Sequence, residues 1–163
     1  MRWVPAYVGI GSNQGDPATQ VRDAAAALDR LPDTRLVIVS SSYASAPFGD
    51  VPQPDFVNAV AAILTRLPPP RLLASLKALE RSAGRQPGGE RWGPRPLDLD
   101  VLVYGAQRIA TDDLTVPHPG IALRNFVLLP LGEIAPDLEI PGLGRVASLP
   151  VDIEQPRIER LEP

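Results

Sequence analysis

The chain has no cysteine, which removes disulfides, zinc–thiolate sites and thiol nucleophiles from its chemistry. Long apolar runs are missing too: the longest, such as 59–64, reach six residues, far short of the ~20 that a membrane span needs. The opening stretch MRWVPAYVGIGSN lacks an extended apolar segment followed by a small-residue cleavage site, so the expectation is a cytoplasmic protein without a signal peptide. There is no basic surplus. With 16 basic and 19 acidic residues and a net charge of -3, the chain is a poor candidate for reading DNA or RNA, although local arginines can still hold a small polyphosphate. Lys77 is the only lysine and His118 the only histidine.

Proline, by contrast, is abundant, at 20 of 163 residues against a usual share of about 5%. The prolines fall between strongly periodic segments, which makes them rigid loop elements rather than a sign of disorder. The length suits one domain, 1–163, able to bury a core without metal or disulfide staples. No internal repeat or linker marks a second.

Residues 4–10 read as a first strand, and Gly11-Ser12-Asn13-Gln14-Gly15 as a turn. Asp16 is placed to cap a helix that starts at Pro17, carries Val21, Leu28 and Leu31 on its apolar face and stops at Pro32. Gly9, Gly11 and Gly15 make G-x-G-x-x-x-G, one residue too long for a dinucleotide fingerprint, and no Gly-Lys-Ser/Thr follows. A second strand at 36–45, a proline-rich loop at 46–55 and a third strand at 56–65 come next, the last with Phe56, Asn58, Val60 and Ala62 on one face. The prolines at 68–70 lead into a second helix ending near Ser82, with Leu72, Leu73, Leu76 and Leu79 as its stripe. A glycine- and arginine-bearing loop at 84–93 reads as a lid. After a strand at 97–104 come a rigid turn at 116–120, an apolar helix at 121–131 and a tail of one or two small strands. Strand, helix, strand, strand, helix, strand is the split pattern of a ferredoxin-like α+β fold, an antiparallel sheet with both long helices on one face.

The densest chemistry lies in 90–105, ERWGPRPLDLDVLVYG. Asp98 and Asp100 share one face of the strand, their Cα atoms roughly 6.5 Å apart at the usual rise. Leu97, Leu99, Val101 and Val103 form the opposite, core-facing side. Two carboxylates one pleat apart repel unless a cation lies between them, and strands disfavour Asp, so the pair points to one or two hard divalent ions. A polar face of an edge strand would show the same bare D-x-D. Arg91 and Arg95 tip the reading, because guanidinium groups beside such a pair are what phosphate oxygens require. Trp92 adds a flat ring.

These residues resemble the 6-hydroxymethyl-7,8-dihydropterin pyrophosphokinases of folate biosynthesis. GIGSNQGD, SSYASAPFG, QPDFVNAV, ERWGPRPLDLDVLVYG, VPHPGIALRNFVLLPL and EIAPDL carry the likeness, in family order over nearly the whole chain. The resemblance implies transfer of pyrophosphate from ATP to the pterin hydroxymethyl oxygen, leaving AMP, with two Mg2+ ions on Asp98 and Asp100. It implies Arg85 and Arg95 as catalytic arginines, and ATP contacts from Glu80, Trp92, Val101, Thr115, His118 and Arg124. The pterin would lie between Phe56 and Phe126, its edge met by Asn58 and by the backbone at Ser45, Ala46 and Phe48. A cytoplasmic monomer acting on two small molecules is the expectation. Pro87, Asp113, Lys77 and Pro119 depart from the bacterial pattern and bear on the lid and the grip on ATP. Two other classes share parts of the pattern: a ligand-binding module on the same fold, and a different phosphoryl or nucleotidyl transferase using the same acids.

Overall fold

A computed structural model describes residues 2–47, 52–83 and 96–162. Its elements in chain order are β1 (Val4–Ser12), α1 (Pro17–Leu28), β2 (Thr34–Val39), β3 (Tyr43–Ser45), β4 (Phe56–Thr65), α2 (Pro69–Ser82) and β5 (Asp98–Tyr104). Two short hairpin pairs follow, β6 (Ile109–Ala110) with β7 (Thr115–Val116) and β8 (Glu139–Ile140) with β9 (Gly144–Arg145); α3 (Asn125–Ile134) lies between them, and β10 (Ile158–Arg160) closes the chain. The main sheet runs β10-β3-β4-β1-β5, with β2 also on β4, and every pairing is antiparallel. That is the expected α+β order. Among the described residues no helix is long and apolar enough to cross a membrane.

Alternation along the strands sorts the core into two layers. Ala6, Val8 and Ile10 of β1 and Ala59, Ala61 and Ile63 of β4 pack against Val21 and Leu28 of α1 and Leu72 and Leu76 of α2. Both long helices therefore cover one face. The other face carries Val60 and Leu102, covered by Ile121 and by Val127, Leu128 and Leu131 of α3. Asp16 caps α1 as its position suggested, its carboxylate accepting the Thr19 N–H at 3.3 Å, and Gly15 supplies the left-handed φ of 64° before it.

Four local readings need correction. The stretch 36–45 is two strands, β2 and β3, both paired to β4; between them the Ser40 hydroxyl accepts the Val60 N–H at 2.9 Å and breaks the ladder. Gly11 and Ser12 belong to β1 and not to the turn. The helix expected at 121–131 is a 3-10 turn at Ile121–Leu123 followed by α3, in which Arg124 is the boundary. Val103 packs with Leu102 and Val60 in the α3 layer and not with Leu99 and Val101. The reason is a bulge: Tyr7 pairs with Val103 but Val8 with Val101, so Leu102 is an extra residue and the alternation changes phase there.

Candidate active site

Asp98 and Asp100 both lie on the α3 face of β5 and are half-buried. Their partners across the ladder are glycines, Gly11 opposite Asp98 and Gly9 opposite Asp100. The same Gly11 is opposite Asn58 of β4, which is opposite Tyr43 of β3. One transverse row thus reads Tyr43, Asn58, Gly11, Asp98. Directly paired residues share a face, so Asn58 and Asp98 stand on one surface two strand spacings apart, roughly 10 Å. Gly11 is needed there: a Cβ on it would sit 2.9 Å from Asn58 Oδ1. The sequence reading missed this role for Gly11, although the alternation of Gly9 and Gly11 was the available signal.

On the Asp98 side is a cleft of about 320 Å³ whose lining includes Lys77, Glu80, Asp98, Asp100, Thr115 and His118. Glu80 comes from α2, is 8% exposed, and its Oε2 accepts the Leu99 N–H at 2.7 Å, between the two aspartates. Leu73, Asp113, Leu114 and Pro119 also line the cleft. Leu73 had been expected in the helix stripe, but Leu72, Leu76 and Glu80 take the buried positions. Val101 is buried beneath the cleft, and Thr115 is exposed at the start of β7.

The bulge that displaces Val103 also positions His118. The carbonyl of the extra residue, Leu102, accepts the His118 N–H at 2.8 Å. The ring Nδ1 accepts the Gly120 N–H at 3.0 Å, which places the proton of the neutral ring on Nε2. Nε2 lies 3.9 Å from Asp100 Oδ2. Burial lowers the imidazole pKa, the charge of Arg124 lowers it further, and Asp98 opposes them. The ring is therefore a neutral donor at pH 7, facing the cleft.

Arg124 joins the two sides, its guanidinium carbon 5.8 Å from the centre of the Phe126 ring. On the far side Asn58, 6% exposed, donates from Nδ2 to Ser45 Oγ at 2.8 Å. Phe56 is opposite Ser45 in the ladder and is half-buried, as is Phe126. The Ala46 N–H is already committed to the carbonyl of Arg157 at 3.0 Å. Phe48, Arg85, Trp92 and Arg95, and the loop at 84–93 read as a lid, lie outside the described residues.

The lining of the cleft tests whether a hard cation fits. Among the described residues it brings four carboxylates, Glu80, Asp98, Asp100 and Asp113, against the single cation of Lys77. A polyphosphate cannot enter such a surface without positive charge supplied. Among the described residues no group of three or more acidic, histidine or cysteine side chains could hold a metal ion by itself. Two carboxylate donors with phosphate oxygens and water completing the shell is the arrangement magnesium accepts. The donor set fits.

Fold and site define a class: an α+β domain that sets a carboxylate-lined cleft beside a buried amide, Asn58, carried on the same sheet. The sequence profile of the family described as 7,8-dihydro-6-hydroxymethylpterin-pyrophosphokinase (HPPK) matches residues 7–136, and the chain belongs to that family. It is 50% identical over 135 residues to the 2-amino-4-hydroxy-6-hydroxymethyldihydropteridine pyrophosphokinase of Pseudomonas aeruginosa, covering 83% of each chain. To the protein of the same name from Haemophilus influenzae it is 42% identical over 160 residues, 98% of this chain and 99% of that one. The crystal structure of wild-type Plasmodium falciparum HPPK-DHPS with pteroate matches 91% of this chain at a TM-score of 0.72 and 14% identity, a likeness of fold. This chain spans 42% of that longer one.

Proposed function

We propose that this chain transfers pyrophosphate from ATP to the hydroxymethyl group of 6-hydroxymethyl-7,8-dihydropterin, releasing AMP, in folate biosynthesis. The hydroxymethyl oxygen bonds to the β-phosphorus, the bond from that phosphorus to the oxygen bridging the α-phosphate breaks, and AMP leaves with the electron pair; the hydroxyl proton is released. The observation that carries the reading is the row Asn58, Gly11, Asp98, which puts an amide for a heterocycle edge and a carboxylate for a phosphate-bound cation on one surface.

Each residue has a task. Asp98 and Asp100 would hold magnesium, two ions in this reading, which neutralises phosphate charge when bound. His118 donates from Nε2 to a phosphate oxygen and, being neutral, adds no charge to be desolvated. Thr115 and the backbone at Val101 complete the nucleotide side with Glu80, which holds β5 in place between the aspartates. Arg124 stands between the two substrates. Arg85 and Arg95 provide the remaining positive charge and Trp92 a further ATP contact, on the strength of the family resemblance. Phe56 and Phe126 stack on the pterin, whose flat polar ring suits such a slot. Asn58, Ser45 and the backbone at Ala46 and Phe48 meet its edge. Catalysis is then mostly positioning and electrostatics.

The protein works in this reading as a single-domain cytoplasmic monomer on two small molecules, without nucleic acid or membrane. Incubation with magnesium, ATP and the pterin, with nucleotides separated by chromatography, is the test. AMP in step with pterin consumption is expected; ADP would mean simple phosphoryl transfer, and tight pterin binding without turnover would mean a binding module.

A further inference from the structure

The C-terminal segment, in which the sequence offers no chemistry, is bonded to both walls of the acceptor pocket. On one wall Asn125, next to the stacking ring Phe126, is 4% exposed, and its Nδ2 donates to the carbonyls of Asp152 and Pro156 at 2.6 Å each. On the other wall the Arg157 carbonyl accepts the Ala46 N–H, and β10 continues along β3 with Ile158 opposite Ser45 and Arg160 opposite Tyr43. Pro156 and Arg157 are consecutive. A single peptide step therefore links the clamp on the Phe126 side to the bond on the Ala46 side.

A second tie joins the same two elements. Glu133, one residue from the end of α3, accepts the Tyr43 hydroxyl at 2.7 Å and the Ser41 N–H at 2.9 Å. Helix α3 is thus fastened to β3 at both ends, directly by Glu133 and through the tail by Asn125. An amide giving both its hydrogens to two carbonyls holds a distance that an aliphatic side chain cannot. Its Oδ1 is buried without a partner, so the amide is kept there for its donors.

We propose that Asn125 is a positioning residue for the acceptor pocket: through 152–158 it fixes the separation of Phe126 from the Ser45–Ala46 edge, and so the width of the pterin slot. The inference rests on the assignment of those residues to the pterin. Asn125→Asp keeps the shape but turns an acceptor toward two carbonyls; Asn125→Ala removes the clamp. In both, KM for the pterin should rise about tenfold or more, as for loss of buried bonds, with kcat and KM for ATP unchanged. A lower melting temperature with an unchanged pterin KM would overturn the proposal and leave Asn125 a merely structural residue. Hydrogen exchange on the wild-type chain keeps the test independent of variant folding. With magnesium and a non-hydrolysable ATP analogue present, adding the pterin should slow exchange at the Ala46 and Ile158 amides, and unchanged rates would again overturn it. Asn58→Ala separates the two levels: if it binds pterin as wild type does, the pterin assignment itself falls; if it loses pterin while the Asn125 variants do not, only the positioning role falls.

Discussion

Asp98 and Asn58 occupy one cross-strand row, one on each side of Gly11, yet their surroundings are of different kinds. Asn58 is buried and bonded to Ser45, and its neighbour Tyr43 is bonded to Glu133. Asp98 and Asp100 stand half-exposed at a cleft that gathers two more carboxylates. In the proposed assignment the acceptor half is organised by hydrogen bonds within the protein, so its selectivity would come from fixed geometry, with little ordering left for binding. The proposed nucleotide half is a concentration of like charge that bound cations and ATP would relieve. Substitutions in the two halves should therefore fail differently.

The largest effect is expected at the carboxylates. Asp100→Ala should lower turnover about a thousandfold, the scale of removing a main electrostatic contributor, while the circular-dichroism spectrum stays that of the folded wild type. Unfolding would make Asp100 structural, and wild-type rates would take it out of the mechanism. Next in size is Asn58→Ala, which leaves Ser45 Oγ without its donor: pterin KM should rise about tenfold or more with ATP KM unaltered. A matched rise in both would erase the distinction between the halves. Gly11→Ala should do less. Its Cβ would meet Asn58 Oδ1 at 2.9 Å, and because a side chain can yield, pterin KM should rise only severalfold, on the scale of about 1 kcal/mol of overpacking. An unchanged pterin KM would show that the Asn58 amide is not the edge reader.

The smallest effect concerns pH. Burial, with the Glu133 hydrogen bond adding to it, pushes the Tyr43 phenol up to about 12 from 10.0. A folded value above the unfolded one means that the neutral phenol stabilises the fold fully below pH 10, and that this contribution is lost as pH rises toward 12. Thermal melts across that window should fall less steeply for Tyr43→Phe than for wild type. Glu133 behaves in the opposite sense. Burial would raise its pKa, but the bonds from Tyr43 and Ser41 outweigh that and hold it below 4.5, so its contribution is present above 4.5 and is lost on acidification. Identical alkaline slopes in the two proteins would show that the Tyr43–Glu133 tie is not maintained in solution.

How much of this was legible in the sequence differs between the same two regions. Strand β4 runs over the residues its apolar pattern marks, with Asn58 as the polar member of its face, and Asp98 and Asp100 stand together on β5 as period-2 spacing requires. What failed was whatever depends on a partner strand. The bulge at Leu102 is invisible to a period of two, so Val103 was assigned to the wrong layer. The break between β2 and β3 comes from the Ser40 hydroxyl reaching Val60 across the sheet. Gly11 resembled a turn residue because glycine is rare in strands, whereas its role is to leave room for Asn58 on the site face. Strand β10 is three residues long and has no periodicity to read; it exists because β3 offers an edge. Arg95 and Trp92 were legible beside the aspartates in 90–105, whereas the roles of Arg85 and Phe48 entered only through the family resemblance.

The proposed site divides one sheet face into a cation-dependent nucleotide half and a preformed acceptor half. A crystal structure with magnesium, a non-hydrolysable ATP analogue and the pterin tests it most directly. The account predicts metal density between the Asp98 and Asp100 carboxylates and the phosphates, with the pterin ring between Phe56 and Phe126 and its edge on Asn58. Phosphates bound with no metal at the aspartates, or a pterin seated away from Asn58, would contradict it.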